Sequence, residues 1–240
     1  MRNHLIPISA FCLSLAIADG RLSPAERDKE SMPVSRENIV ASPTAQSIYD
    51  AAGLKESGLS IEAFNYAFNG YQHLIEKKIL NRDEYLTVCD MSQSSREKRM
   101  YIIDMEEEKL VINTRVAHGR NSGAEFATRF SNRCESLQTS LGFYITRSTF
   151  IGGHGLSLKI DGVDKGFNDL ASKRNIVIHG AGYMDENWLR HSNYMGRSYG
   201  CPAISQTDCN RVINIIKNGT CLFIYHPDKN YLHGSKILND

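Results

Sequence analysis

The 240-residue sequence contains no apolar run as long as the roughly 18 residues that a membrane-spanning helix needs, which excludes a multi-pass membrane protein. It also lacks an excess of charge of either sign. With 28 Lys and Arg against 27 Asp and Glu, no net field is present to hold nucleic acid or an anionic membrane surface. Neither C-x-x-C nor H-E-x-x-H occurs, so the strongest local signals for zinc are missing. There is no internal repeat. What remains is ordinary globular composition, 41% hydrophobic and 23% charged, which argues against a mostly disordered chain. At about 100–200 residues per domain, the length suits one catalytic domain with an extension, or two small domains at most.

The N-terminus reads as an export signal. Arg2 and His4 precede a mainly apolar run, Leu5 to Ile17, that ends in Ala16-Ile17-Ala18, giving a basic n-region, an h-region and an A-x-A cleavage site. A buried first helix is the alternative, and Pro7 and the abrupt change to Asp19-Gly20-Arg21 oppose it. Residues 1–18 are therefore expected to be removed after Ala18. Phe11 before Cys12 is not the small residue that a lipoprotein signal requires, so no membrane anchor is expected after cleavage. The expected location is the periplasm, the cell envelope or the medium. Removing residues 1–18 takes away one cation, Arg2, and no anion. Five cysteines then remain, Cys89, Cys134, Cys201, Cys209 and Cys221. In an oxidising compartment an odd number leaves at least one thiol without an intramolecular partner, and the sequence does not pair the rest.

Residues 19–43, with Pro24, Pro33 and Pro43 among polar side chains, read as a flexible linker. Residues 44–81 read as a helical segment: a first helix over Thr44 to Ala52, and a second capped by Ser60, with Ile61, Phe64, Phe68, Tyr71 and Ile75 along one stripe. Such a stripe packs against a core far more often than it forms a ligand box. From Arg82 onward the period shortens to that of strands. Tyr85 to Asp90, Met100 to Met105, Lys109 to Ala117, Leu141 to Thr146, Leu156 to Ile160, Asn175 to Ile178 and Thr220 to Tyr225 are expected strands. Glu106-Glu107-Glu108-Lys109 is expected to turn a hairpin, and a helix is expected over Thr207 to Lys217. Residues 82–240 thus predict a mainly β catalytic domain, an antiparallel sheet or sandwich with one or two helices, preceded by the small α-helical N-terminal segment.

Chemistry concentrates in two phrases, Ile176-Val177-Ile178-His179-Gly180 and Gly196-Arg197-Ser198-Tyr199-Gly200-Cys201-Pro202. A histidine at the mouth of an apolar strand is held rigidly, and a cysteine in a glycine-containing turn can share its cleft. His179 can supply the base that a thiolate needs, and the N–H groups of Tyr199, Gly200 and Cys201 can face an oxyanion. Cys209 and Cys221, at a helix start and in a strand, have the setting of core or disulfide cysteines. The His-before-Cys order is the reverse of papain-type enzymes. His118 and His154 also precede glycine and can line the same cleft; a His118, His154, His179 metal set does not have the spacing of a metal motif. Asn121, Ser122, Ser131 and Asn132 suit either peptide binding or an ordinary polar surface loop.

At these residues the sequence resembles the YkuD-type L,D-transpeptidase catalytic domain, and within it the murein L,D-transpeptidase catalytic domain branch. The matching phrases are His179-Gly180, Ser198-x-Gly200-Cys201-Pro202, Val116-Ala117-His118-Gly119-Arg120-Asn121-Ser122-Gly123, Ser140-Leu141-Gly142-Phe143-Tyr144 and Gly219-Thr220-Cys221-Leu222-Phe223-Ile224-Tyr225. The resemblance covers about residues 45 to 232. The resemblance implies a β-sandwich core, Cys201 as nucleophile, His179 as base and the Gly180 carbonyl as the group that orients the imidazole. It implies peptidoglycan stem peptides as the partner, and it calls for no cofactor. The sequence departs from the common signature at Tyr199, where histidine is usual, and at Ala203, where an arginine organises the site and binds substrate. Arg197, and after it Arg190, is expected to take that part, with Ser198, His118 and His154 along the groove. The implied reaction is transfer of a Cys201-bound acyl group to an amine. Its alternatives are hydrolysis of the same acyl-enzyme by water, as in an L,D-carboxypeptidase or endopeptidase, and a non-catalytic cell-wall-binding module.

Overall fold

The computed structural model describes residues 44–240, so the expected signal peptide and linker lie outside the described residues. The chain begins with α1, Ala45–Ala51, which a capping box starts. The Thr44 hydroxyl accepts from the Ser47 N–H at 3.2 Å and the Ser47 hydroxyl accepts from the Thr44 N–H at 3.0 Å. Helix α2, Ile61–Glu76, is capped by the Ser60 hydroxyl, 3.1 Å from the Ala63 nitrogen. Its buried stripe is Ala63, Phe64, Ala67, Phe68, Tyr71 and Leu74, with Ile61 and Ile75 half-buried at the margin. An apolar face this wide must be covered, and α2 lies against β1, Tyr85–Asp90, and β8, Cys221–Tyr225.

Eight strands form one sheet in the order β3-β2-β1-β8-β4-β5-β6-β7. The others are β2, Met100–Asp104; β3, Lys109–Thr114; β4, Gly142–Gly152; β5, Gly155–Gly162; β6, Val177–Gly180; and β7, Ala203–Ile204. The sheet is mainly antiparallel, with two parallel pairs, β1 with β8 and β6 with β7. β1 and β8 are buried on both faces because α2 covers one side and α3, Gln206–Ile216, also contacts β1. The turn between β2 and β3 is closed by Glu108 with φ 48. The expected strand over Asn175 to Ile178 starts two residues later than its apolar pattern suggests, at Val177, because Asn175 takes a left-handed conformation with φ 54. β7 has two residues and α4, Lys229–Gly234, and α5, Lys236–Asn239, are short; none is long enough to carry a period, and none was expected from the sequence.

The C-terminal helices are tied down by one carboxylate. Asp164, buried behind β4, accepts from the Phe143 N–H at 2.7 Å, the Tyr231 hydroxyl at 3.1 Å and the Ser235 hydroxyl at 2.5 Å. All three donors are needed to offset the cost of burying a carboxylate; burial nevertheless raises its pKa. At the centre, Phe143 of β4 stacks on Phe223 of β8, with ring centroids 4.1 Å apart. A Cβ on Gly70 of α2 would fall inside the Phe143 ring, so glycine is what lets the helix approach the sheet. Gly70→Ala therefore sets a gain in helix propensity of up to about 1 kcal/mol against an overpacking cost of about 1–3 kcal/mol. The expected outcome is a lower melting temperature and urea midpoint, and a variant as stable as the parent would contradict this packing.

Candidate active site

His179 stands on β6 between Ser157 of β5 and Ala203 of β7, its register partners on either side. The side chain is buried, and its Nδ1 lies 3.0 Å from the Gly180 carbonyl oxygen. A carbonyl only accepts, so Nδ1 carries the proton and Nε2 keeps its lone pair. The exposed ring of His154, at the end of the β4–β5 hairpin, stacks on His179 with centroids 4.4 Å apart. Burial pushes the His179 pKa below the usual 6.5 and His154 pushes it the same way, against the Gly180 hydrogen bond. The imidazole is thereby kept neutral, the form a base requires.

Cys201 lies two residues before the β6–β7 pairing, in a turn that is bonded on both sides. The Ser198 N–H donates to the His118 carbonyl at 3.0 Å, the Arg120 N–H to the Ser198 carbonyl at 2.7 Å, and the Ala117 N–H to the Ala203 carbonyl at 2.7 Å. Within the turn, the Ser198 hydroxyl donates to the Cys201 carbonyl at 2.6 Å and accepts from the Gly200 N–H at 3.0 Å. Gly200 has φ +126, and a Cβ there would sit 2.9 Å from the Gln138 carbonyl oxygen, so the turn requires glycine. The half-buried Cys201 Sγ lies 3.7 Å from the carbonyl oxygen of Asn175, which its left-handed backbone turns toward the thiol. Burial pushes the thiol pKa up; the Val177 N–H and the Arg174 guanidinium oppose that. The five cysteines of the described chain are all unpaired.

His179 and Cys201 line one open cleft of about 1270 Å³ with His154, Arg120, Arg174, Arg190 and Arg197. No Asp or Glu is among its described lining residues. Arg190 and Arg197 are exposed there. Arg197 uses one terminal nitrogen on the carbonyls of Gly123, at 2.9 Å, and Arg120, at 3.3 Å; its guanidinium lies over the Tyr194 ring, and its other nitrogens have no hydrogen-bond partner among the described residues.

Several expected roles shift. Gly200 cannot serve the oxyanion because its N–H is held by Ser198. The N–H groups of Tyr199 and Cys201 meet no acceptor among the described residues and are the available donors. The Ser198 hydroxyl is occupied within the turn, so Ser198 shapes the turn and is not free to bind substrate. His118 does not reach the cleft. It is fully buried, with Nδ1 2.8 Å from Nη2 of Arg99, a guanidinium that also donates to the Val116 and Gln93 carbonyls. The three histidines consequently do not converge. Asn121, Ser122, Ser131 and Asn132 all make hydrogen bonds within the protein, to Ser136, Thr139, Arg174 and Asp169. Ala203 is buried beside Ala117, Ala181, Met184 and Met195, where an arginine would have no room. Arg174 was not anticipated: its partners Ser131, Ser136, Gln138 and Ser140 are 34 to 43 positions away, and no local pattern marks it.

A family model described as the L,D-transpeptidase catalytic domain matches residues 55–225. Among solved structures, the chain is similar to an L,D-transpeptidase from Mycobacterium smegmatis, with 11% identity over 60% of this chain and 59% of that one and a TM-score of 0.37. It is also similar to L,D-transpeptidase 3 from Mycobacterium tuberculosis, with 12% identity over 60% and 61% and a TM-score of 0.39. A third is the helical cell shape determining protein Pgp2 from Campylobacter jejuni, with 14% identity over 67% and 54% and a TM-score of 0.39. The chain spans 59% of the length of the first of these structures. No curated protein matches it.

The buried histidines make stability depend on pH. The pKa of His118 is pushed down to about 3, by burial first and by the Arg99 charge second. An unfolded histidine takes up its proton near 6.5, so below that pH the unfolded state binds the extra proton and the folded state does not. Stability is complete above pH 6.5 and falls as pH drops toward 3, by about 1.4 kcal/mol per unit from His118. His179 and His226, whose pKa values are also lowered, act with the same sign. Urea midpoints are expected to fall from pH 6.5 to pH 5, less steeply in His118→Asn; a midpoint constant over that range would contradict a buried, neutral His118.

Proposed function

Because the chain belongs to the L,D-transpeptidase catalytic domain family, we propose that it is an exported cysteine acyltransferase that acts on peptidoglycan stem peptides, with Cys201 as nucleophile and His179 as base. The observation that carries this reading is the hydrogen bond from His179 Nδ1 to the Gly180 carbonyl. It leaves Nε2 as the proton acceptor in the cleft that also holds the Cys201 sulfur.

The proposed cycle has two halves. Nε2 takes the thiol proton as Cys201 Sγ bonds to the carbonyl carbon of the third stem residue, and the oxyanion lies against the N–H groups of Tyr199 and Cys201. The C–N bond breaks, His179 returns the proton to the departing nitrogen, and the terminal D-amino acid leaves a thioester on Cys201. An amine from a second stem then attacks the thioester, its proton passes to Nε2, and the thiolate departs. Covalent catalysis divides one difficult acyl transfer into two easier ones. The stem substrate carries free carboxylates, and a cleft lined by four arginines, with no carboxylate among its described lining residues, suits such a ligand. Arg197, with most of its fork open, is the residue proposed to grip one of them. A sulfur that is unpaired and faces the cleft also fits an enzyme better than a binding module.

Intact mass after incubation with a disaccharide tetrapeptide tests the proposal. The expected species is the protein plus the donor minus its terminal D-amino acid, bonded at Cys201. Adding an amine acceptor should discharge it into a cross-linked product. Cys201→Ala should give neither adduct nor product, and His179→Gln should acylate roughly 10²–10⁴ times more slowly. Release of the D-amino acid by Cys201→Ala would overturn the assignment.

A further inference from the structure

The cleft contains a cation that this acyl transfer leaves unused. Nη1 of Arg174 donates to the Ser131 carbonyl at 2.8 Å and the Ser140 hydroxyl at 2.9 Å; Nη2 donates to the Gln138 carbonyl at 2.6 Å and the Ser136 hydroxyl at 3.3 Å. All four acceptors are neutral. No ion pair to Arg174 occurs among the described residues. The guanidinium packs directly on the nucleophile turn, because a Cβ on Gly200 would lie 3.3 Å from Nη2.

This arrangement separates Arg174 from Arg197. Each terminal nitrogen of a guanidinium has two hydrogens, and both pairs in Arg174 are in use, so it has no paired N–H edge left for a substrate carboxylate. What it still offers is a half-buried positive charge without a counter-ion, an unfavourable state that a nearby anion would relieve. The thiolate of Cys201 is that anion. Other titratable groups facing this region are the phenol of Tyr144, which burial keeps protonated, Cys134 beside the guanidinium, His179 and His154, and the phenols of Tyr183 and Tyr199. Arg120, Arg190 and Arg197 line the same cleft, and the Arg174 charge lowers the thiol pKa against the effect of burial.

We propose that Arg174 is a positioning residue and the fixed counter-charge of the Cys201 thiolate: its four hydrogen bonds lock it to the 131–140 segment, and its charge favours the deprotonated sulfur before substrate arrives. The proposal rests on the reading of Cys201 as nucleophile. It assigns the two functions of an active-site arginine to different residues, the charge beside the sulfur to Arg174 and the grip on substrate to Arg197.

The test is the pH dependence of Cys201 alkylation by iodoacetamide, without substrate, in the whole chain. A Cys12→Ser, Cys134→Ser background removes the thiol outside the described residues and the one exposed thiol among them. Arg174→Gln should raise the alkylation midpoint by about one pH unit and so slow labelling at pH 7 roughly tenfold. Arg174→Lys keeps the charge and loses the fork; its midpoint should stay within a few tenths of a unit of the parent while its melting temperature falls. The proposal is overturned if Arg174→Gln, folded by near-ultraviolet circular dichroism, has the parent's profile. It is equally overturned if Arg174→Lys moves as far as Arg174→Gln, which would make Arg174 scaffold alone. Should the Gln variant not fold, Arg174→Met, which also removes the charge, takes its place in both comparisons. The two readings fail separately. A parent with an Arg174-dependent profile that releases no D-amino acid from the tetrapeptide removes the transpeptidase reading only, and an active parent whose profile ignores Arg174 removes this proposal only.

Discussion

The site depends on one piece of backbone pairing. β6 and β7 run parallel with His179 opposite Ala203, so the proposed base and the turn that presents Cys201 two residues earlier are fixed to neighbouring strands. Only two residues of β7 take part, and a pairing that short would not hold by itself. It is extended by the segment 117–120, which hydrogen-bonds Ala203 on one side of the cysteine and Ser198 on the other. Behind that segment, Arg99 binds the Val116 carbonyl through two nitrogens and His118 through a third contact. The buried polar cluster thus supports the Cys201 turn, which gives physical content to a histidine that never reaches the cleft.

The electrostatics follow from the same layout. The two groups assigned to proton transfer are both disfavoured in their charged forms by burial, the imidazole lowered and the thiol raised. Left to burial alone, the pair would rest as neutral histidine and neutral thiol. Local groups work against that: the Val177 N–H and the Arg174 charge at the sulfur, and at the imidazole the Gly180 carbonyl, which accepts from Nδ1. The outer cleft, lined by arginines without described carboxylates, would offer an anionic ligand favourable contacts and no like charge.

Much of this architecture is legible in the sequence because it rests on local periodicity. β1 has the bounds its alternating apolar pattern gives, β2, β8 and α1 to α3 differ by a residue or so, and the aromatic stripe of α2 faces the sheet. His179 and Cys201 stand out for the same reason, a histidine ending an apolar strand and a cysteine within a glycine turn. What escapes is whatever depends on long-range partners or backbone sign. Nothing near Arg174 announces four acceptors drawn from residues 131 to 140, and the left-handed Asn175 interrupts a run that reads as continuous strand. The fates of Gly200, Ser198 and His118 depend on which hydrogen bonds are already made, which residue type alone does not reveal. Ala203 is legible as a departure, but its cause, a pocket of alanines and methionines with no space for a longer side chain, appears only in three dimensions.

The central claim is that the Gly180 carbonyl fixes His179 as the Nδ1–H tautomer, neutral at physiological pH, with Nε2 free to take the thiol proton. Long-range ¹H–¹⁵N correlation spectra of histidine-labelled protein, recorded as a pH titration and assigned with His179→Gln, measure this directly. The account predicts a protonated Nδ1, an unprotonated Nε2 at pH 7, and a titration midpoint below 6.5. An Nε2–H tautomer, or a midpoint above 6.5, would contradict it.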